Sequence, residues 1–155
     1  FINKIITLCL SFDLSEIKKH LSHKRFTRMN AFLSLGRWLF PIPVAIFGLM
    51  HFMKASQMAT TIPNYLPVPI AWVILAGAGL VAAALAMLIG KYDKLAATLL
   101  AAELLLFVLL LHLPAVTAGG ENSQISMGNL LKDLSLAGAA MLYATYVAKD
   151  RSFIG

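Results

Sequence analysis

Four apolar runs, at roughly residues 32–53, 68–89, 95–113 and 129–148, occupy most of this 155-residue chain and restrict what it can fold into. Hydrocarbon about 30 Å thick is crossed by about 20 helical residues rising 1.5 Å each, and every run is of that order. Gly, Pro and short polar stretches fall between the runs, where backbone must leave the lipid. With 59% hydrophobic and 13% charged residues, the chain lies far from soluble proteins, in which about 25% of residues are charged. The expectation is an all-α, integral membrane four-helix bundle, with residues 31–150 as its transmembrane domain and no separate soluble domain.

The basic residues orient the bundle. Lys4, Lys18, Lys19, Lys24, Arg25 and Arg28 precede the first run, Lys91 and Lys94 lie between the second and third, and Lys149 and Arg151 follow the fourth. The two remaining connections hold only Lys54 and, at the mouth of the last run, Lys132. The positive-inside bias therefore puts both termini in the cytoplasm, the parity that four crossings require. The net charge of +6 is thus explained by topology, and no aromatic-interleaved basic motif points to nucleic acid. A lone cysteine, Cys9, excludes an intramolecular disulfide, a CxxC redox pair or a thiolate metal cage within one chain.

Residues 1–30 form a basic N-terminal segment. Its first twelve residues are apolar but too short to span, and no small-residue cleavage site follows. Asp13-Leu-Ser-Glu16 fits a capping box opening a short helix through Leu21, with Lys18, Lys19 and Lys24 available to anionic headgroups. Met29, directly before the first run, is a candidate start, so whether residues 1–28 belong to the mature chain stays open.

Alternating crossings bring His51, His112 and the group Asn129, Lys132 and Asp133 to the external side. Asn129 and Asp133, four apart, share a helix face. A histidine pair with an acid can ligate a metal or haem, or pass protons to a quinone head group. Ligation by His51 and His112 is the least favoured of these readings. Asp133 also suits the helix dipole, and interfacial histidines are ordinary. Glu103 and His112 are nine apart, about 180° around an ideal helix. If Glu103 faces the bundle interior, His112 points away unless Pro114 unwinds the helix end.

Arg37 stands about 8 Å and Glu103 about 12 Å above the cytoplasmic edge by helical rise. An unpaired charge at such depth costs about 3 kcal/mol, so an Arg37–Glu103 ion pair that fixes register is the economical expectation. The competing reading makes Glu103 a proton acceptor in a quinone or substrate pocket. Pro41 and Pro43 deny hydrogen bonds to the carbonyls of Arg37 and Leu39, which predicts a kink in the first run. In the second run, Gly79/Ala83, Ala78/Ala82 and Ala82/Ala86 have the spacing of close helix packing, in the bundle or against another subunit. Pro63, Pro67 and Pro69 stiffen the external link before it, and Tyr65 and Trp72 are placed for the headgroup level.

Gly36-Arg37, Gly48-Leu-Met-His51-Phe52, His112-Leu-Pro114 and Asn129-Leu-Leu-Lys132-Asp133-Leu-Ser-Leu-Ala-Gly138 together resemble DoxX-like membrane proteins over about residues 30–148. The resemblance implies a four-helix membrane bundle. It implies functions such as the membrane subunit of a thiosulfate:quinone oxidoreductase, or a partner of redox enzymes in oxidative-stress complexes. Arg37, His51, His112, Asn129 and Asp133 match recurrent polar positions of that family. Many of its members carry an acidic residue in the second helix. This chain carries none there, a departure that Glu103 would make good only if it substitutes spatially.

These readings together give an accessory or anchoring subunit of a larger membrane complex in a bacterial inner membrane, with no autonomous catalytic activity expected. Its partners are the bilayer and other membrane subunits. The alternative is a quinone-linked oxidoreductase subunit with binding candidates Arg37, His51, Glu103, His112, Asn129 and Asp133 and quinone as the ligand. A small-molecule or lipid transporter has less support, since no inverted repeat is visible.

Overall fold

The computed structural model describes residues 30–63, 65–120, 123–150 and 152. These residues form helices and connecting turns, with no strand among them. The expected basic segment and its helix from Asp13 lie outside the described residues. The chain divides into two compact units, Phe1–Gly36 and Arg37–Gly155. In the first, residues 30–34 are helical. The elements that follow are α1 (Gly36–Leu39), α2 (Pro41–Met53), α3 (Ala55–Ala59), α4 (Pro69–Ile89), α5 (Asp93–Phe107), α6 (Leu113–Ala118) and α7 (Ser123–Leu142). Two five-residue π-helical turns, Val108–His112 and Tyr143–Val147, prolong α5 and α7.

Asn30–Met53, Pro69–Ile89 and Asp93–Ala118 are each long and apolar enough to cross a membrane. Their outward faces suit that solvent: Leu75, Leu99, Leu109 and Ile89 all stand exposed. In water such a surface would be an aggregation liability, whereas lipid matches it. The fourth long helix, α7, carries Asn129, Lys132, Asp133 and Ser135 and is the more polar element.

Local chemistry sets the helix ends. The first apolar run is interrupted at Phe40, directly before Pro41, with Phe40 itself still in helical dihedrals. The missing Pro41 and Pro43 donors account for the interruption of the hydrogen-bond ladder at this point. Pro69 opens α4, preceded by Val68 at φ 52°. Gly90, at φ 74°, closes it, and the N–H groups of Gly90 and Lys91 both donate to the Ala86 carbonyl. Glycine adopts this left-handed conformation without a steric penalty. The Tyr143 hydroxyl donates to the Met87 carbonyl at 3.0 Å, supplying a donor at the helix end.

At the same end of the molecule, Asp93 is buried at the start of α5. Its two carboxylate oxygens accept the N–H groups of Lys149 and Asp150, each at 2.9 Å. Asp150 in turn accepts the Tyr92 N–H at 2.9 Å. The turn between α4 and α5 is thus tied to the segment after α7 by two carboxylates acting in opposite directions.

Helix α2 packs along α4, α4 along α5 and α5 along α7. Their shared core includes Val44, Leu80, Ala84, Met87, Ala97, Leu100, Leu104, Ala137 and Tyr143. The α2–α4 crossing is a glycine contact. A Cβ at Gly48 would meet Val81 Cγ2 at 2.6 Å and the Gly77 carbonyl oxygen at 2.9 Å, and one at Gly77 would meet His51 Cβ at 2.7 Å. Gly48 and Gly77 therefore let the two backbones approach more closely than any side chain allows. Of the small residues singled out by spacing, Ala83 is buried and Gly79 half-buried against α5, whereas Ala78 and Ala82 face outward.

Candidate functional site

The end of the bundle opposite the Asp93 clamp encloses a cavity of about 660 Å³. Phe47 and Met50 of α2, Val73 and Ala76 of α4, and Leu104 and Phe107 of α5 supply part of its apolar wall. His51, Glu103, His112, Asn129, Lys132 and Asp133 supply its polar groups. Five of the six binding candidates read from the sequence therefore line one space. Arg37 does not.

His112 reaches this cavity through a change in helix geometry. Pro114 has no N–H, so the carbonyl of Leu110 loses its usual helical donor, and the Tyr65 hydroxyl from the α3–α4 link donates to it instead. Ahead of Pro114 the ladder slips to π-helical spacing, with the Leu113 N–H bonded to the Val108 carbonyl. A π turn accommodates about one residue more than an α turn, so His112 and Glu103 are separated as eight residues would be, about 80° instead of 180°. His112 therefore turns toward the face that carries Glu103, the exception allowed for a helix end unwound at Pro114. The missing N–H of Pro114 is a physical reason for the turn to form at this place.

His112 Nε2–H donates to Asp133 Oδ2 at 2.9 Å, and the Lys132 ammonium lies 3.3 Å from Asp133 Oδ1. Asp133 is buried, so its charge is met by these two neighbours. In the neutral ring this contact leaves Nδ1 of His112 as an acceptor. The Lys132 ammonium also sits 4.8 Å from the centre of the Phe47 ring, joining α7 to α2 across the cavity wall. His51 donates from Nδ1 to the Phe47 carbonyl at 2.7 Å, which leaves Nε2 as the acceptor in its neutral form.

Glu103 occupies the middle of α5, against Gly79. A Cβ on Gly79 would lie 2.6 Å from Glu103 Oε2 and 3.0 Å from Oε1. The carboxylate of α5 thus stands on α4, filling the place that a larger residue there would take.

The Arg37–Glu103 ion pair expected from depth does not form. The ion pairs among the described residues are His112–Asp133 and Lys132–Asp133. The helix register explains why. Gly48 lies against Gly77 and Val81, so eleven residues earlier Arg37 falls near the level of Gly90, whereas Glu103 lies level with Gly79. Eleven helical residues separate them by about 16 Å along the axis, beyond the reach of an arginine. Arg37 is half-buried, with its guanidinium 5.9 Å from the centre of the Trp38 ring.

Neither the Tyr65–Leu110 bond nor the Asp93 clamp was anticipated from sequence. A signal for the first existed: Pro114 four residues after Leu110 leaves a carbonyl wanting a donor. Among the described residues, no group of three or more His, Cys, Asp or Glu side chains comes together as a metal site would require.

Among the described residues, fold and cavity define a helical protein with three helices long and apolar enough to cross a membrane, around an apolar chamber with a polar end. The chain belongs to the family described as a domain of unknown function (DUF8561), whose family model matches residues 41–147, from the start of α2 to the end of the second π turn. No curated protein and no solved structure matches the chain.

Proposed function

We propose that this chain is a DoxX-like integral membrane protein of four crossings. In this reading both termini lie on the cytoplasmic side of a bacterial inner membrane, and the chain is an accessory subunit whose cavity binds a quinone-type molecule. The observation that carries the reading is the cavity itself, about 660 Å³, apolar along its body and lined at one end by His51, His112, Asn129, Lys132 and Asp133. That volume falls within the range of small-molecule sites, which combine apolar walls with a few convergent polar groups. His51 Nε2 and His112 Nδ1 offer acceptors, and Lys132 and the Asn129 amide offer donors, to a head group bearing carbonyls or hydroxyls. The apolar wall suits a ring system and tail.

The fourth crossing is supported by length. Ser123–Leu142 with its π-helical continuation to Val147 spans about 37 Å at helical rise, and the charges of Lys132 and Asp133 are paired. The cytoplasmic orientation rests on Lys91, Lys94 and Lys149 at the end opposite the cavity. Glu103 against Gly79 supports the DoxX-like comparison, because it returns a carboxylate to the second helix. A role in assembly is favoured by Ala78 and Ala82, which stand four apart and exposed, where another helix could approach closely.

Purification from native membranes in mild detergent tests both halves. Solvent extraction of the pure protein is expected to release a quinone, and a photoactivatable benzoquinone is expected to label residues lining the cavity. Glu103→Gln and His112→Ala are each expected to weaken quinone binding about tenfold, the equivalent of one hydrogen bond of about 1.4 kcal/mol. A protein that retains no quinone and is labelled only outside the cavity would overturn the ligand reading. Purification without any co-migrating subunit would overturn the accessory role.

A further inference from the structure

The cavity has two ends and a side, and they differ in cover. Its outer end lies under α3 and the α3–α4 link, where Met58, Ile62 and Leu66 contribute to the wall and the Tyr65 hydroxyl is bonded to the Leu110 carbonyl. Its side is different. Leu75 on α4, Leu99 and Leu106 on α5 and Leu110 on the π turn that prolongs it line the cavity and are also 63%, 60%, 53% and 44% exposed. Side chains exposed to this extent show that protein does not close the chamber along the outer edge of α4 and α5; Phe47 and Met50 on α2 are exposed as well, but less so.

Helical spacing sets the residues of this edge in one strip, which the Glu103 carboxylate standing against Gly79 occupies at its middle. Residues 99, 102, 103, 106 and 110 recur at three and four along one face of the third crossing helix, opposite 72, 75, 76 and 79 on the second. At the middle of the strip the chain has Gly79 on one side and Ala102 and Glu103 on the other. Gly79 contributes no side chain, and a Cβ there would collide with the Glu103 carboxylate at 2.6 Å. Glu103 is ten residues from the start of α5 and nine from His112, about 15 Å and 13 Å of helix, and so lies well inside the Asp93–Ala118 span. A carboxylate at that depth is costly, and among the described residues no cation pairs with it.

Resting on the quinone reading above, we infer that the cavity is loaded sideways from the bilayer, between α4 and α5. Gly79 is the threshold, and Glu103 is the first polar contact met by the incoming head group. The head then moves along α5 to His112 and Asp133 while the tail stays in the strip between Leu75, Leu99 and Leu106. The ligand class that fits is a lipid-dissolved molecule with one hydrogen-bonding head and an unbranched or isoprenoid tail. A water-borne polar metabolite does not fit this route.

The full chain, reconstituted in phosphatidylcholine vesicles, provides the test. Trp72 lines the cavity, and a Trp38→Phe background leaves it as the reporting tryptophan, whose emission a bound quinone quenches. The probe is a benzoquinone with a decyl tail, and the reading is the rate of saturable quenching. Ala102→Phe fills the strip from its exposed side and is expected to slow quenching about tenfold or more, within the span over which association rates respond to mutation. Leu106→Phe is the second variant, in case the first perturbs folding as judged by its elution profile and thermal melt. Tyr65→Phe frees the outer cover and is expected to leave the rate unchanged. Acceleration by Tyr65→Phe with no effect of Ala102→Phe or Leu106→Phe would overturn sideways loading and keep the quinone site. Absence of saturable quenching in the unaltered protein would overturn both.

Discussion

The Nε2 of His112 lies 2.9 Å from Oδ2 of Asp133, joining the end of one long helix to the buried acid of the next. Removing the imidazole leaves Asp133 with Lys132 alone, at 3.3 Å. Breaking one side of a buried pair costs about 3 kcal/mol, more than the pair itself contributes, because the remaining charge stays desolvated. His112→Ala is therefore expected to destabilise the protein by about 3 kcal/mol in reversible unfolding from mixed micelles. With Asp133→Leu as the other single variant, the double variant His112→Ala/Asp133→Leu is expected to recover most of that loss. Strictly additive losses in the double-mutant cycle would sink the assignment of a coupled pair.

Pro114 gives a physical reason for that pairing, by way of the π turn. Pro114→Ala restores a donor for the Leu110 carbonyl and permits ordinary α-helical spacing through His112. His112 is then expected to rotate away from α7. The His112–Asp133 coupling energy, measured in the Pro114→Ala background, should fall below about 0.5 kcal/mol, the range of independent sites. Tyr65→Phe, which leaves Pro114 in place, is expected to cost about 1 kcal/mol and to preserve the coupling. An unchanged coupling after Pro114→Ala would show that the turn does not depend on the proline.

The helices were legible in the sequence because lipid demands length and hydropathy together, and three of the four apolar runs meet that demand in the fold. The cavity residues were partly legible. His51, His112, Asn129 and Asp133 follow from alternating crossings, which need only the order and lengths of the helices. What was not legible depends on exact register. The Arg37–Glu103 pair was expected from depths measured separately along each helix, but the Gly48–Gly77 crossing fixes the relative slide of α2 and α4 and holds Arg37 near the level of Gly90. The inward turn of His112 depends on a changed number of residues per turn ahead of one proline. Asp93 lies just outside an apolar run, and its partners are backbone groups more than fifty residues away. No local pattern encodes such a contact.

The glycines separate into two classes that substitution can distinguish. Gly77→Ala would place Cβ 2.7 Å from His51 Cβ and 3.0 Å from the Gly48 carbonyl oxygen. Both neighbours are fixed close to the backbone, so the helices must separate, at a cost of about 1–3 kcal/mol. Gly138→Ala meets nothing within 4 Å. Inside a helix it is expected to be neutral or to stabilise by up to about 1 kcal/mol, since alanine loses less backbone entropy on folding. Thermal melts of the two variants in the same detergent provide the comparison. Equal destabilisation by both would refute the close α2–α4 contact.

Asp150 gives the chain an acid-sensitive tie outside the long apolar helices. The Ser152 hydroxyl, at 2.6 Å, is the main reason its carboxyl lies below the ordinary value of 3.8, at about 2, with the backbone N–H groups of Tyr92 and Ser152 assisting. Because the folded value lies below the unfolded one, the stabilisation is complete above about pH 4. It is lost as pH falls through 3.8 towards 2. Water screens this exposed group, so the effect on global stability is small and is better read at the residue itself. A carboxyl carbon titration of Asp150 by NMR is expected to show a midpoint near 2, moving up towards 3.8 in Ser152→Ala. In the same samples the Tyr92 amide is expected to lose its protection from hydrogen exchange as Asp150 takes up its proton. A midpoint at 3.8 in the unaltered protein, with Tyr92 still protected below it, would mean that the Asp93 carboxylate alone holds the two segments together.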